Sequence, residues 1–175
     1  QGQYIDELAQ EILIKHPEYK ELSGQSASET FREAGYELQL AQQKKVLDNF
    51  GTRFDIWFSE RSLHSGDGID KALATLKSQG HTYEDEGAIW LRTTDFGDDK
   101  DRVLVKSGGE LTYFSSDTAY YLDKRRRGFD ICIYMLGADH HGYVGRLKAT
   151  AACAGDDPEY NIHVLIGQLV KIIEG

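Results

Sequence analysis

The stretch from Ile131 to Gly155 constrains the fold more than any other part of this 175-residue chain. Ile131-Cys132-Ile133-Tyr134-Met135-Leu136 is a short apolar run rich in β-formers, and it reads as a buried strand. Gly137-Ala138-Asp139-His140-His141-Gly142-Tyr143 then forms a Gly-containing polar turn, and Val144 to Ala154 has helical spacing closed by Gly155. A second apolar run, at 163–168, follows. Two strands separated by one helix predict a parallel pair joined by a right-handed βαβ crossover. Open α/β sheets bind ligands outside the carboxyl ends of such strands. The Asp-His-His turn stands at that place, and a helix start behind it offers backbone N–H groups to an anion or a ribose.

A second informative stretch lies just upstream, at Thr112-Tyr113-Phe114-Ser115-Ser116-Asp117-Thr118-Ala119-Tyr120. Here Tyr113 is expected at a strand end, with Ser116 as N-cap and Asp117 in the first turn of a helix whose positive end favours its charge.

The remainder reads as helices followed by antiparallel β-structure. Tyr4, Ile5, Leu8, Ala9 and Ile12 keep helical spacing, and His16-Pro17 ends that helix. Ser26 or Ser28 with Glu29 offers helix-start chemistry for a long second helix through Phe31, Ala34, Leu38, Ala41 and Val46 to Phe50. Phe54-Asp55-Ile56-Trp57-Phe58 alternates as a strand does. A third helix is expected from about Asp67 to Ser78, with Ile69, Ala72, Leu73 and Leu76 inside and Gly80 as its stop. Ala88 to Arg92 and Arg102 to Lys106 are strand-like, and Ser107-Gly108-Gly109-Glu110 turns into Leu111-Thr112-Tyr113. The loop Asp95-Phe96-Gly97-Asp98-Asp99-Lys100-Asp101 lacks the register and terminal Glu of an EF-hand, so it reads as a solvated, charge-blunted β loop.

Composition narrows the function classes. A net charge of −9 argues against a general polyanion binder. The basic run Lys124-Arg125-Arg126-Arg127 falls at a helix C-terminus, where cations complement the dipole and face solvent, or else contact a nucleic-acid backbone. No apolar run approaches the ~20 residues of a membrane span, and no signal-peptide pattern opens the chain. Cys132 and Cys153 sit on apolar elements and read as buried reduced thiols, so the expected compartment is cytoplasmic.

Several motifs in one order carry a more specific message. Arg92-Thr93-Thr94, Gly97-Asp98-Asp99-Lys100-Asp101-Arg102-Val103-Leu104, the Tyr113 to Tyr120 stretch, Arg127-Gly128-Phe129-Asp130, Gly137 to Tyr143 with Arg146-Leu147-Lys148, and Val164-Leu165-Ile166-Gly167-Gln168 closely resemble arginyl-tRNA synthetases of bacterial type. The similarity extends over nearly the whole chain, including Gly2-Gln3-Tyr4-Ile5. It implies an α/β fold: residues 112–175 would be the second half of a class I, Rossmann-like nucleotide-binding domain, and residues 1–111 a helical and β-hairpin connecting segment inserted into it.

The resemblance also implies roles. Tyr113 and Asp117 match positions that hold the arginine side chain, where a carboxylate takes the planar guanidinium bidentately and a phenol adds a contact. The plainer reading of the same pair is a helix cap and a core aromatic. His140 matches a position facing the amino acid, and Gln168 lies near the amino-acid or adenine pocket. Gly137 and Asp139 match the approach to the ATP ribose, with His141 orienting Asp139 or touching the nucleotide. Partners so implied are L-arginine, ATP with Mg, and arginine tRNA, with no membrane. The H-I-G-H-like and K-M-S-K-S-like motifs of class I synthetases do not occur in residues 1–175. The chain therefore reads as an internal fragment of an arginine-tRNA ligase, inactive in isolation. The alternatives are a non-catalytic arginine-binding paralogue and a metal-dependent hydrolase using His64, Asp139, His140 and His141.

Overall fold

A computed structural model describes residues 2–171 and 173, which divide into two compact units, residues 1–57 and 58–175. In the first unit, α1 (Gln3–Lys15) ends at His16, ahead of a 3₁₀ turn at Pro17–Glu21. The long α2 (Gly24–Asn49) packs on α1. Gly35 is the buried residue of α2 and faces α1, where a Cβ would make ordinary contact, 3.5 Å from Leu8 Cδ2 and 4.0 Å from Ile12 Cδ1. Ser23, not Ser26 or Ser28, stands at the N-cap of α2, and no side chain caps it. The strand expected at Phe54 to Phe58 does not form. A strand exists only through a ladder partner, and this segment has none among the described residues. Phe54 and Trp57 meet edge-on instead, with ring centroids 5.2 Å apart, and Lys44 Nζ lies 5.1 Å from the Trp57 ring.

The second unit begins with two short helices, α3 (Arg61–Ser65) and α4 (Gly68–Ser78). Ile69, Ala72 and Leu76 are buried on α4, as their spacing predicts. An antiparallel meander follows: β1 (Thr82–Asp85), β2 (Ala88–Leu91) and β3 (Arg102–Val105). The β1–β2 turn consists of Glu86 and Gly87, with φ of 47° and 77°. Both central residues have positive φ, the arrangement whose twist matches a two-residue hairpin. After β3, the turn at 107–110 leads to a single bridge between Val105 and Leu111, and the chain enters α5 (Tyr113–Arg126).

The expected parallel pair is present. β4 (Cys132–Gly137) and β5 (Ile162–Gly167) pair in register from Cys132↔Ile162 to Gly137↔Gly167. Between them come a 3₁₀ turn (Ala138–Tyr143), α6 (Val144–Cys153) and the short α7 (Pro158–Asn161). Tyr121, Cys132, Leu147, Ala151 and Ile162 form the core beneath this pair. A neighbouring core joins α4, β2, β3, α5 and α6 through Leu76, Leu91, Leu104, Phe114 and Cys153. Both cysteines are free and buried, and burial pushes the Cys153 thiol up to about 12. The other face of the pair leaves Ile133, Met135 and Leu165 exposed.

Candidate functional site

The start of α5 is fastened to β3 by hydroxyl groups. Thr112 is extended, with φ −89° and ψ 163°, and its side chain accepts from Ser115 N. Its Oγ1 also donates to Val103 O at 2.7 Å, and Ser115 Oγ donates to Leu104 O. Thr112 is thus the N-cap, in place of the expected Ser116, because it is the residue at which the chain leaves the meander with a free side-chain oxygen. Consequently Tyr113 is the first helical residue and not a strand end, and Asp117 lies in the second turn, past the first-turn reach of the dipole. Four residues apart, the two share one helix face. Both are exposed, Tyr113 at 91%, so Tyr113 is no core aromatic; Asp117 is no cap because Thr112 holds that place.

The carboxyl edge of β4 and β5 gathers three more of the predicted residues. Gly137, Asp139 and Gln168 line one cavity of about 630 Å³ with Met135, Leu165 and Leu169. A Cβ at Gly137 would stand 2.6 Å from Asp139 Oδ1, so a side chain there would make that exposed carboxylate turn away. His140 Nε2 lies 3.5 Å from Asp139 Oδ2, and both side chains are largely exposed. His141 is exposed on the same 3₁₀ turn.

One contact joins the two half-sites. Tyr143, the last residue of that turn, donates its hydroxyl to Asp117 Oδ2. The Arg146 guanidinium lies 4.8 Å from the Tyr143 ring. Burial, and next the bond to Asp117, raise the Tyr143 pKa. About two helical turns along α5 from Asp117, Lys124 Nζ lies over two rings, 3.6 Å from that of Tyr120 and 4.3 Å from that of Tyr134, and burial pushes its pKa down to about 8. In the sequence Lys124 is visible only as the first residue of the basic run, and Tyr143 only as the end of the Gly137 motif.

Other candidate chemistry is accounted for by structure. Ser116 Oγ lies 3.1 Å from His64 Nε2, and Glu60 Oε1 approaches the same nitrogen at 3.8 Å. A carboxylate on the same ring nitrogen cannot orient the imidazole as the base of a nucleophilic triad, which requires the opposite nitrogen. Among the described residues no three of His, Cys, Asp and Glu are placed to hold a metal ion. In the acidic loop, Asp98 receives Arg102 Nε and Nη2, each at 2.7 Å, and Asp101 takes the Thr94 hydroxyl at 2.7 Å and Tyr83 OH at 3.1 Å. The bonded Arg102 holds the Asp98 carboxyl well below the usual range. That loop is not simply solvated; two of its acids are structural.

The basic run faces solvent only in part, since Arg126 is the one of its four residues that is exposed. Arg125 grips Asp156 with Nε at 2.9 Å and Nη2 at 3.0 Å, and Asp156 also accepts from Tyr121 OH at 2.6 Å. Arg126 and Arg127 both reach the buried Asp123, at 2.7 and 2.9 Å. Local carboxylates and rings take up cations that helix-end statistics would leave in water.

The model of the family described as tRNA synthetases class I (R), catalytic domain, matches residues 8–168. The chain belongs to this family. It is 57% identical over 171 residues to the arginine–tRNA ligase of Paenarthrobacter aurescens, and 57% identical to that of Renibacterium salmoninarum. Each match covers 98% of this chain and 31% of the relative, so the chain spans about a third of the length of the curated relatives it matches. A solved structure from Campylobacter jejuni, provisionally named an arginyl-tRNA synthetase, superposes with TM-score 0.87 at 35% identity, covering 97% of this chain and 36% of that one. The Thermus thermophilus arginyl-tRNA synthetase shares the fold, with TM-score 0.63 at 20% identity over 89% of this chain and 34% of its own. Within this class I catalytic fold the predicted site residues lie on α5, at the end of β4, on the 3₁₀ turn after it, and just past the end of β5. Among the described residues, no helix is long and apolar enough to cross a membrane.

Proposed function

We propose that this chain is the arginine- and ribose-holding segment of an arginine–tRNA ligase that works in the cytoplasm. Residues 112–175 serve as the second half of its nucleotide-binding domain, and residues 1–111 as the connecting segment. The observation that carries the reading is the convergence of Gly137, Asp139 and Gln168 on one cavity at the carboxyl edge of a parallel pair, with Asp117 tied to the same turn. In this reading Asp117 takes the guanidinium of L-arginine, Tyr113 covers it, and His140 and Gln168 face the amino acid. Asp139 accepts from the ribose hydroxyls of ATP, Gly137 lets the nucleotide approach the backbone, and His141 supports Asp139. ATP arrives as its Mg complex.

The whole enzyme would join the arginine carboxylate to the α-phosphorus while the bond to pyrophosphate breaks, then pass the arginyl group to the terminal ribose of arginine tRNA. Such a reaction requires positioning and charge stabilisation more than a side-chain nucleophile. Groups that stabilise the phosphate are not assigned to this segment, and residues 1–175 alone are expected to catalyse no arginine-dependent exchange of pyrophosphate into ATP.

The test is Asp139→Ala in the complete gene product. Loss of a charged ribose acceptor costs about 1.5–3 kcal/mol, so the KM for ATP should rise by roughly tenfold or more while that for arginine stays within about twofold. A raised arginine KM with an unmoved ATP KM would show that Asp139 does not serve the ribose.

A further inference from the structure

Asp117 offers its carboxylate on an exposed helix face, and an exposed Asp has free torsions about both side-chain bonds. Bidentate recognition of a guanidinium requires the carboxylate plane to be fixed, because the two N–H···O contacts are parallel. The groups that do the fixing lie on another element. Tyr143 donates its hydroxyl to Asp117 Oδ2 from the end of the 3₁₀ turn, 26 residues further along the chain. The Tyr143 ring is itself partly buried and lies against the Arg146 guanidinium at 4.8 Å. The carboxylate has about four lone-pair sites, and Tyr143 occupies one of them. Both oxygens therefore keep an acceptor site for a bidentate ligand.

We propose that Tyr143, braced by Arg146, is a positioning residue that orients the Asp117 carboxylate for the guanidinium and ties the arginine side of the site to the turn carrying Asp139. The proposal rests on the assignment of Asp117 to arginine. Tyr143 touches no reacting atom. Its effect falls on arginine recognition, and its ring and Arg146 restrict the hydroxyl to one place.

The experiment compares Tyr143→Phe, Arg146→Met, Asp117→Asn and the Tyr143→Phe/Asp117→Asn double variant in the complete gene product, by steady-state pyrophosphate exchange with thermal melting as the folding control. Tyr143→Phe should raise the KM for arginine about tenfold, equivalent to about 1.4 kcal/mol. The ATP KM and kcat should stay within about twofold, a split that general loosening of the fold would not produce. Arg146→Met, which keeps the hydroxyl and loosens the ring, should give a smaller rise of the same kind, and it serves as the readout if the Phe variant melts early. In the double variant the hydroxyl should cost almost nothing further, since there is no longer a carboxylate to orient. An arginine KM that is unchanged or lower in Tyr143→Phe, with Asp117→Asn impaired, overturns the proposal while sparing the assignment of Asp117. Near-normal arginine kinetics in a folded Asp117→Asn variant instead removes that assignment, and the proposal with it.

Discussion

In the loop between β2 and β3, the Asp98 side chain is 4% exposed and bonded twice to Arg102, and Asp101 is held by Thr94 and Tyr83. At the start of α5 and the end of β4, Asp117 is exposed and the Asp139 side chain is 81% exposed. Both regions are acidic, carry aromatic neighbours and follow a strand. They differ in where the cations are. Arg102 lies on the adjacent strand end and neutralises the loop from within, whereas Asp117 meets a phenol and Asp139 an imidazole. A carboxylate paired with a guanidinium inside the protein stabilises the fold; one that meets a single phenol or imidazole retains acceptor capacity for a cationic or hydroxylated ligand. The difference separates a structural acid from a candidate binding acid more clearly than residue type does.

Substitution by Asn should divide the two regions. Asp117→Asn turns an acceptor into an amide whose NH₂ faces the guanidinium donors, and truncating one partner of a charge pair that the bound substrate buries costs about 2–5 kcal/mol. Arginine kcat/KM should fall by that amount with melting temperature and ATP KM nearly unchanged. Asp98→Asn should do the reverse: with Asp99 still beside Arg102, about 2–3 kcal/mol of stability is lost, the scale of a hydrogen-bonded charge, and substrate KM values hold in the folded enzyme. Urea titration reads that loss. The contribution of Asp98 is also pH-dependent in a known sense. Its folded pKa is depressed, so the stabilisation is present above the ordinary Asp value of 3.8 and fades as pH falls below it. An Asp98→Asn variant should lack this acid sensitivity.

The smallest effect concerns Lys124, beneath the exposed half-site. Burial lowers its pKa from 10.5 to about 8. Between those values the unfolded chain holds a proton that the folded chain has released, so the Lys124 contribution to stability rises with pH across that window. The tyrosines and cysteines with raised pKa act in the opposite sense at high pH, so the quantity to measure is a difference. The urea midpoint of the wild type relative to Lys124→Met should increase from pH 7.5 to 9.5, and a flat difference would mean that Lys124 stays charged on its two rings.

Legibility followed the range of the interactions. The α4 helix, the strands β2 and β3 and the parallel β4–β5 pair are readable because apolar periodicity and turn residues are local signals. The strand anticipated at Phe54 to Phe58 failed because alternation cannot supply a ladder partner. The cap of α5 moved from Ser116 to Thr112, since both are good caps and the hydrogen bonds to β3 select between them. In the basic run, Arg125 pairs with Asp156, 31 residues away, which helix-end reasoning cannot see, whereas Arg126 and Arg127 meet Asp123 at ordinary helical spacing.

The sequence by itself determined most of the helices, the parallel strand pair, the family, and the short list of polar residues at the strand and helix ends. These rest on periodicity, on turn chemistry and on motifs, all written in neighbouring residues. Only the tertiary structure decided which acids are spent on Arg102 and which stay open, that Gln168 shares a cavity with Gly137 and Asp139, and that Tyr143 reaches Asp117. Hydrogen bonds and ion pairs act over about 3 Å, and no rule of sequence spacing brings residues 26 or 31 apart to that distance; packing of α5 and α6 against the parallel pair does.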